Sequence, residues 1–268
     1  MKRYGLIGFG AIGASVAELW GARIADRATL SAILARPHQL DAARALMHQS
    51  VVVTDDPAVF LEACGDAVIE AAGHAAVGEL GATILESGRN LLILSVGALS
   101  DPDLNSSLQT AAAKGSSRII ILPGALAGFD GLLSLRAGAL QSVRYISSKP
   151  PSAWTGTPGE ALIPAGIDAP FTLFSGSAKA VCSLYPKNAN LAAAVAFAGL
   201  GLERTMVELV ADPCLTGNRG HLIAHSDLET LEVILIGDGF KENPKSSRVT
   251  ALSVVAAIEN CENWIGFR

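Results

Sequence analysis

The stretch Gly5-Leu6-Ile7-Gly8-Phe9-Gly10-Ala11-Ile12-Gly13 constrains the fold of this chain more than any other. An apolar run enters three glycines at the G-x-G-x-x-G spacing, which predicts a buried strand, a tight turn and the first turn of a helix. Gly8 permits the turn, Gly10 lets the backbone approach a pyrophosphate, and Gly13 lets the helix pack on the strand. The helix N-terminus offers unpaired N–H groups and the positive end of its dipole to phosphate. The expectation is a dinucleotide-binding βα unit with Gly8, Gly10, Ala11, Ile12 and Gly13 against the cofactor. A plain structural turn can carry the same spacing, so the surrounding pattern has to decide.

That pattern is a repeated strand–helix rhythm. Ile12, Val16, Leu19 and Trp20 form one helical stripe. Strands are expected at Thr29–Leu34, Val51–Thr54, Ala67–Ala72, Leu91–Leu94 and Arg118–Leu122. Asp56-Pro57 and Asp101-Pro102 read as helix caps followed by proline at the first helical position. Such alternation predicts βαβ units and a parallel sheet, with ligand at the carboxyl ends of the strands. Gly73, His74, Ser95 and Gly97 fall at such ends and are candidate cofactor contacts. After the second strand the chain reads Ala35-Arg36-Pro37-His38, with no acid for a ribose 2′-hydroxyl. Arg36 suits a 2′-phosphate instead, which points to NADP or to use of both NAD and NADP.

The bulk properties exclude several classes. Of 268 residues half are apolar and 17% charged, and the net charge is −5 without a basic block. This fits a packed globular protein and argues against nucleic acid or an acidic membrane as partner. Cys64, Cys182, Cys214 and Cys261 are scattered, so neither a metal site nor a disulfide framework is expected. No apolar run is long enough to span a bilayer, and the N-terminus carries no leader pattern. A soluble cytoplasmic protein is the expectation.

From Pro123 the pattern changes. Ser142–Ser147 alternates polar and apolar, and the segment from Lys149 to Pro170 is rich in proline and glycine. Thr172–Gly176, Met206–Ala211 and Leu228–Ile236 are further strand candidates, and Asn190–Ala198 is an alanine-rich helix. The fold class read from this is α/β: an N-terminal Rossmann parallel sheet plus a smaller α+β domain for substrate binding and dimerisation. Its boundaries are 1–122 for the dinucleotide-binding domain and 123–242 for the second. A closing helix within 243–268, capped at Asn243-Pro244, is expected to return to the first. The second domain should have a mixed or antiparallel sheet with few helices.

Candidate chemistry in the second domain is sparse. Lys187, Asn188 and Asn190 cluster at the start of the alanine-rich helix, a seat for a carboxylate or a simple cap with a solvated lysine. Of the five histidines, His38 and His48 read as surface residues and His74 lies near the expected cofactor. His221 and His225 remain as second-domain candidates for acid–base work near neutrality.

Seven stretches, in order, carry a resemblance to the L-aspartate dehydrogenase family over nearly the whole chain. They are Gly8–Gly13, Glu70–His74, Ser95–Ser100, Gly124–Gly128, Ala153–Pro158, Tyr185–Asn190 and Asn243–Ser247. The resemblance implies an NAD(P)-dependent amino-acid dehydrogenase interconverting L-aspartate with oxaloacetate and ammonia through iminosuccinate. It further implies a homodimer with the architecture of homoserine dehydrogenase and dihydrodipicolinate reductase, and in some organisms a link to NAD biosynthesis. By the same resemblance Ala125 and Asn190 touch the nicotinamide cofactor, and a histidine in an Asn-x-His context moves the proton. For such a substrate Lys187, Asn188 and the helix start near Asn190 are expected to hold the two carboxylates, whose charges suit a lysine and a helix N-terminus.

Here Asn218 is followed by Arg219 and Gly220, so His221 arrives one residue late. In a strand that offset reverses the face a side chain occupies. The expectation is that a bulge at Gly220 absorbs it and that His221 is the acid–base group. Two other readings stay open: a related reductase or dehydrogenase of another small carboxylated imine or amino acid, and a non-catalytic NAD(P)-binding sensor.

Overall fold

The computed structural model describes residues 1–238 and 247–262, which form two compact units. Residues 1–124 and those from Thr250 onward make the first, and Ala125–Val249 the second. The expected cap at Asn243-Pro244 lies outside the described residues.

In the first unit, strands β1 (Lys2–Ile7), β2 (Ala28–Leu34), β3 (Val52–Thr54), β4 (Ala67–Glu70), β5 (Asn90–Ile93) and β6 (Ile119–Ile121) form one sheet in the order β3-β2-β1-β4-β5-β6. All of its pairings are parallel. The intervening helices are α1 (Ala11–Arg23), α2 (Leu40–Leu46), α3 (Pro57–Ala63), α4 (His74–Glu86) and α5 (Pro102–Gly115). Strand order reverses direction of growth at β1 and β4, the switch point where such sheets take ligand. The inner strands are nearly continuous apolar runs because helices cover both faces. Leu6, Ile33, Val68, Ile69 and Ile93 are fully buried.

Local sequence explains where the helices start. The Asp56 carboxylate accepts from the Ala58 amide at 2.8 Å, and Asp101 accepts from Asp103 and Leu104 at 2.9 and 3.1 Å. Each is followed by a proline that needs no hydrogen-bond partner at its position. The strand expected over Ala67–Ala72 stops at Glu70, because the side chain of Glu70 captures the amides of Ala72 and Gly73.

In the second unit the elements are α6 (Phe129–Ala137), β7 (Leu140–Lys149), β8 (Phe171–Ser177), α7 (Ala178–Leu184), α8 (Asn190–Ala198), β9 (Thr205–Ala211), β10 (Asn218–Ser226) and β11 (Thr230–Gly237). The sheet runs β11-β10-β7-β9-β8 and is mixed, with only β7 and β9 parallel. Its described residues hold three α-helices, of which α8 is the one expected over Asn190–Ala198. One sheet face is buried beneath them through Val143, Tyr145, Val207, Leu209, Leu222 and Ala224. The other face is open, with Met206, Ile234 and Ile236 exposed beside an Arg144–Glu208 ion pair.

The last element among the described residues is α9 (Val249–Glu262), whose residues from Thr250 belong to the first unit. The Tyr4 hydroxyl donates to Glu262 at 3.0 Å, and Arg23 pairs with Glu259 at 3.3 Å.

Candidate active site

The glycine turn fits a dinucleotide. Gly8 has φ of +99°, a backbone that L side chains rarely adopt, and a Cβ there would meet the Ala71 carbonyl oxygen at 2.7 Å. Gly13 packs so tightly that a Cβ would stand 2.1 Å from the Gly8 carbonyl oxygen. A Cβ on Gly10, by contrast, would meet nothing within 4 Å. Gly10 precedes the first residue of α1 and no side chain caps that helix end. A tight turn, an open approach at the middle glycine and an uncapped helix N-terminus are what a pyrophosphate requires.

Two further turns stand beside it. β4 is the neighbour of β1, and β5 that of β4. Gly73 precedes α4, whose first residue is the half-buried His74. Ser95 and Gly97 follow β5, both buried. The structure therefore brings Gly8–Gly13, Gly73, His74, Ser95 and Gly97 to the carboxyl ends of three adjacent strands. Arg36 lies two residues beyond β2, exposed, with its amide bonded to the Gln39 side chain at 3.2 Å.

In the second unit the candidates separate. Ala125 begins the unit, ahead of α6. Lys187 and Asn188 lie in a single 3-10 turn, exposed and half-buried respectively, and Asn190 is the first residue of α8.

The bulge expected at Gly220 needs a correction. β10 pairs with both neighbours in unbroken register through position 220: Gly220 stands opposite Ser147 of β7 and Leu235 of β11. The expected bulge is absent, because both neighbours hold the strand in register. Side-chain parity then follows the pleat. Gly220, Leu222 and Ala224 face the covered side, and a Cβ on Gly220 would meet Leu126 at 3.3 Å and the Tyr145 hydroxyl at 3.4 Å. His221 is on the opposite, open face, where its Nε2 lies 2.8 Å from an oxygen of Glu232. His225 shares that face and contacts the Thr230 hydroxyl at 3.0 Å.

Residues that spacing alone did not single out line the covered side. β7 sends Tyr145, Ser147 and Lys149 there at alternate positions, all buried. Burial pushes the Tyr145 phenol well above its usual range, with a hydrogen bond to Ser147 opposing, so it stays protonated. The Lys149 ammonium sits over the buried Trp154 ring, 5.6 Å from its centroid, a cation–π contact. Alternation was visible over Ser142–Ser147, and extending it by one step reaches Lys149. Among the described residues, no group of three His, Cys, Asp or Glu side chains could hold a metal ion, and no helix is long and apolar enough to cross a membrane.

Comparison with known proteins also divides the chain between residues 122 and 130, with the second match running on through most of α9. Residues 8–122 match the family described as homoserine dehydrogenase, NAD binding domain, and residues 130–261 match aspartate dehydrogenase, C-terminal. The chain is 38% identical to an L-aspartate dehydrogenase of Polaromonas sp., with 97% of each chain covered. It is 44% identical to one of Pseudomonas aeruginosa, with 73% of each covered. In fold it resembles an aspartate dehydrogenase from Thermotoga maritima, with a TM-score of 0.76, 23% identity and full coverage of both chains. An amine dehydrogenase from Mycobacterium smegmatis is a more distant likeness, with a TM-score of 0.58, 15% identity, and 97% of this chain and 92% of that one covered. With sequence likeness running through both units, the chain belongs to the L-aspartate dehydrogenase family.

Proposed function

We propose that this protein is an NAD(P)-dependent dehydrogenase of L-aspartate, converting it to oxaloacetate and ammonia through iminosuccinate, or running the reverse amination. The observation that carries this reading is identity near 38% across the full length to L-aspartate dehydrogenases, together with a glycine turn shaped for a pyrophosphate. The dinucleotide, when bound, supplies the hydride acceptor. Gly8, Gly10, Ala11, Ile12 and Gly13 cradle its phosphates, Arg36 reaches the 2′ position, and Gly73, His74, Ser95 and Gly97 line the remaining strand ends. Ala125 and Asn190 complete the cofactor contacts. Lys187 and Asn188, ahead of the α8 N-terminus, hold the two carboxylates of the substrate.

This reading gives His221 no acid–base role, because the Asn-x-His pattern counted from Asn218 falls on position 220 and His221 faces the opposite side of the sheet, bonded to Glu232. Arg36, in place of an acid, favours NADP or use of both cofactors. A homodimer is proposed through the open sheet face, where Met206 on β9 and Ile234 and Ile236 on β11 are exposed apolar side chains that a second copy would cover. A cytoplasmic location goes with this reading.

The test is purified protein with L-aspartate and either NAD⁺ or NADP⁺, following formation of reduced cofactor. Turnover with either is expected, and its absence at both neutral and alkaline pH would remove the proposal. A second reading, a cofactor-binding protein without catalysis, draws on the glycine at position 220. Tight dinucleotide binding with no turnover on any small amino acid or carboxylated imine would favour it.

A further inference from the structure

Glu70 is the last residue of β4 and is fully buried. A carboxylate out of water survives only where fixed donors replace its hydration. Here four do. Oε1 accepts from the amides of Ala72 and Gly73, each at 2.7 Å, and from the Ser95 hydroxyl at 2.9 Å. Oε2 accepts from the Ser95 amide at 3.0 Å.

These donors belong to two different turns, the one after β4 and the one after β5. The first of them also packs on the phosphate turn: Ala71 donates to the Ile7 carbonyl at 2.8 Å, and Ala71 and Ala72 are the backbone a Cβ on Gly8 would strike. One side chain thus ties together the carboxyl ends of β4 and β5 and sets them against β1. In a sheet of this order the ribose next to adenine is read at the end of β2. The opposite mononucleotide, carrying nicotinamide, then falls to the half built on β4 and β5.

We propose that Glu70 is a positioning residue for the nicotinamide half of the bound dinucleotide, holding the Gly73-His74 turn and the Ser95–Gly97 turn in one fixed arrangement. The proposal rests on the reading that this unit binds a nicotinamide dinucleotide. It assigns Glu70 no contact with the cofactor and no chemical step. A carboxylate is required because it accepts at both oxygens. A glutamine in its place offers one acceptor oxygen and turns its own N–H groups toward an amide donor.

The experiment measures equilibrium binding by calorimetry to the full-length protein. The ligands are the dinucleotide that the wild type prefers and the matching fragment without nicotinamide, ADP-ribose or 2′-phospho-ADP-ribose. Glu70→Gln is expected to weaken the complete dinucleotide about tenfold, the worth of one hydrogen bond to a charged group, and to leave the fragment within about twofold. Ser95→Ala removes one of the four donors and is expected to weaken the dinucleotide about threefold, again sparing the fragment. Loss of general stability would weaken both ligands alike. Equal weakening of the two, or no change in either, overturns the proposal, and if Glu70→Gln does not fold then Glu70→Asp, which keeps the carboxylate one methylene short of its donors, decides on the same criterion. A wild type that binds neither ligand overturns the dinucleotide reading itself. A wild type that binds both, with variants that do not discriminate, overturns the role of Glu70 alone.

Discussion

The two units present candidate functional residues in different ways. In the first, every candidate from Gly8 to Gly97 lies at the end of a parallel strand, where the direction of the chain determines which edge it reaches. In the second, the histidine question is decided on the face of a mixed sheet, where parity along the strand determines which side a residue occupies. An edge tolerates an error of one residue in locating a strand. A face does not, since a single step sends the side chain to the other side. The glycine turn is therefore robust to how its strand is bounded, whereas His221 depends wholly on the register of β10.

The largest expected effect tests the edge. Gly13→Ala puts a methyl group 2.1 Å from the Gly8 carbonyl oxygen. Backbone has to move, which should destabilise the protein by about 3 kcal/mol or more and abolish measurable dinucleotide binding. Gly10→Ala has open space around the new carbon. Its backbone, at φ −77° and ψ −169°, suits alanine. It should lower stability by no more than about 1 kcal/mol while weakening the dinucleotide about tenfold, because the methyl group fills the approach to the phosphates. Thermal unfolding beside binding separates the two. If both variants lost stability equally, the distinction between a packed and an open glycine would fail.

The next test is of the face. Gly220→His restores the Asn-x-His spacing and places an imidazole on the covered side. It should raise kcat with L-aspartate by on the order of a hundredfold, the usual worth of a positioned acid–base group. His221→Ala should leave kcat within about twofold and lower stability by under about 1 kcal/mol, since Glu232 is largely exposed and such pairs contribute little. An inert His221→Ala beside an improved Gly220→His would establish parity as the controlling variable. The reverse pair of results would mean that β10 shifts register when substrate binds.

How far the fold could be read in advance follows the same division. The strands of the first unit are apolar runs punctuated by glycine and Asp-Pro, and local residues alone position them. β10 contains Gly220, His221 and His225 within nine residues and has no clean alternation of its own. What makes it a strand is pairing on both sides with β7 and β11, contacts that lie far off in sequence. Glu70 was readable only as a polar residue within the apolar strand expected over Ala67–Ala72. Its role depends on Ser95, 25 residues away and brought near by strand pairing. Of the covered-side residues, Tyr145 and Ser147 lay within the recognisable alternation, and Lys149 was hidden for a milder reason: β7 continues two residues beyond it.

The smallest expected effect carries the comparison down to single helix ends. In the first unit Asp101 accepts from two amides at the start of α5, with a proline following at the first helical position. In the second, Ser177 caps α7 through a single bond from the Ala180 amide at 3.2 Å. Asp101→Ala should lower stability by about 1 kcal/mol, since two donors are released and a favourable charge leaves the helix N-terminus. Ser177→Ala should cost about half as much, the value for a weaker cap on a short helix. Chemical denaturation of the two variants measures both. Equal losses would show that the units are capped alike despite their different signatures. A larger loss at Ser177 would place more of the stability of the second unit in local structure than its long-range sheet pairing implies.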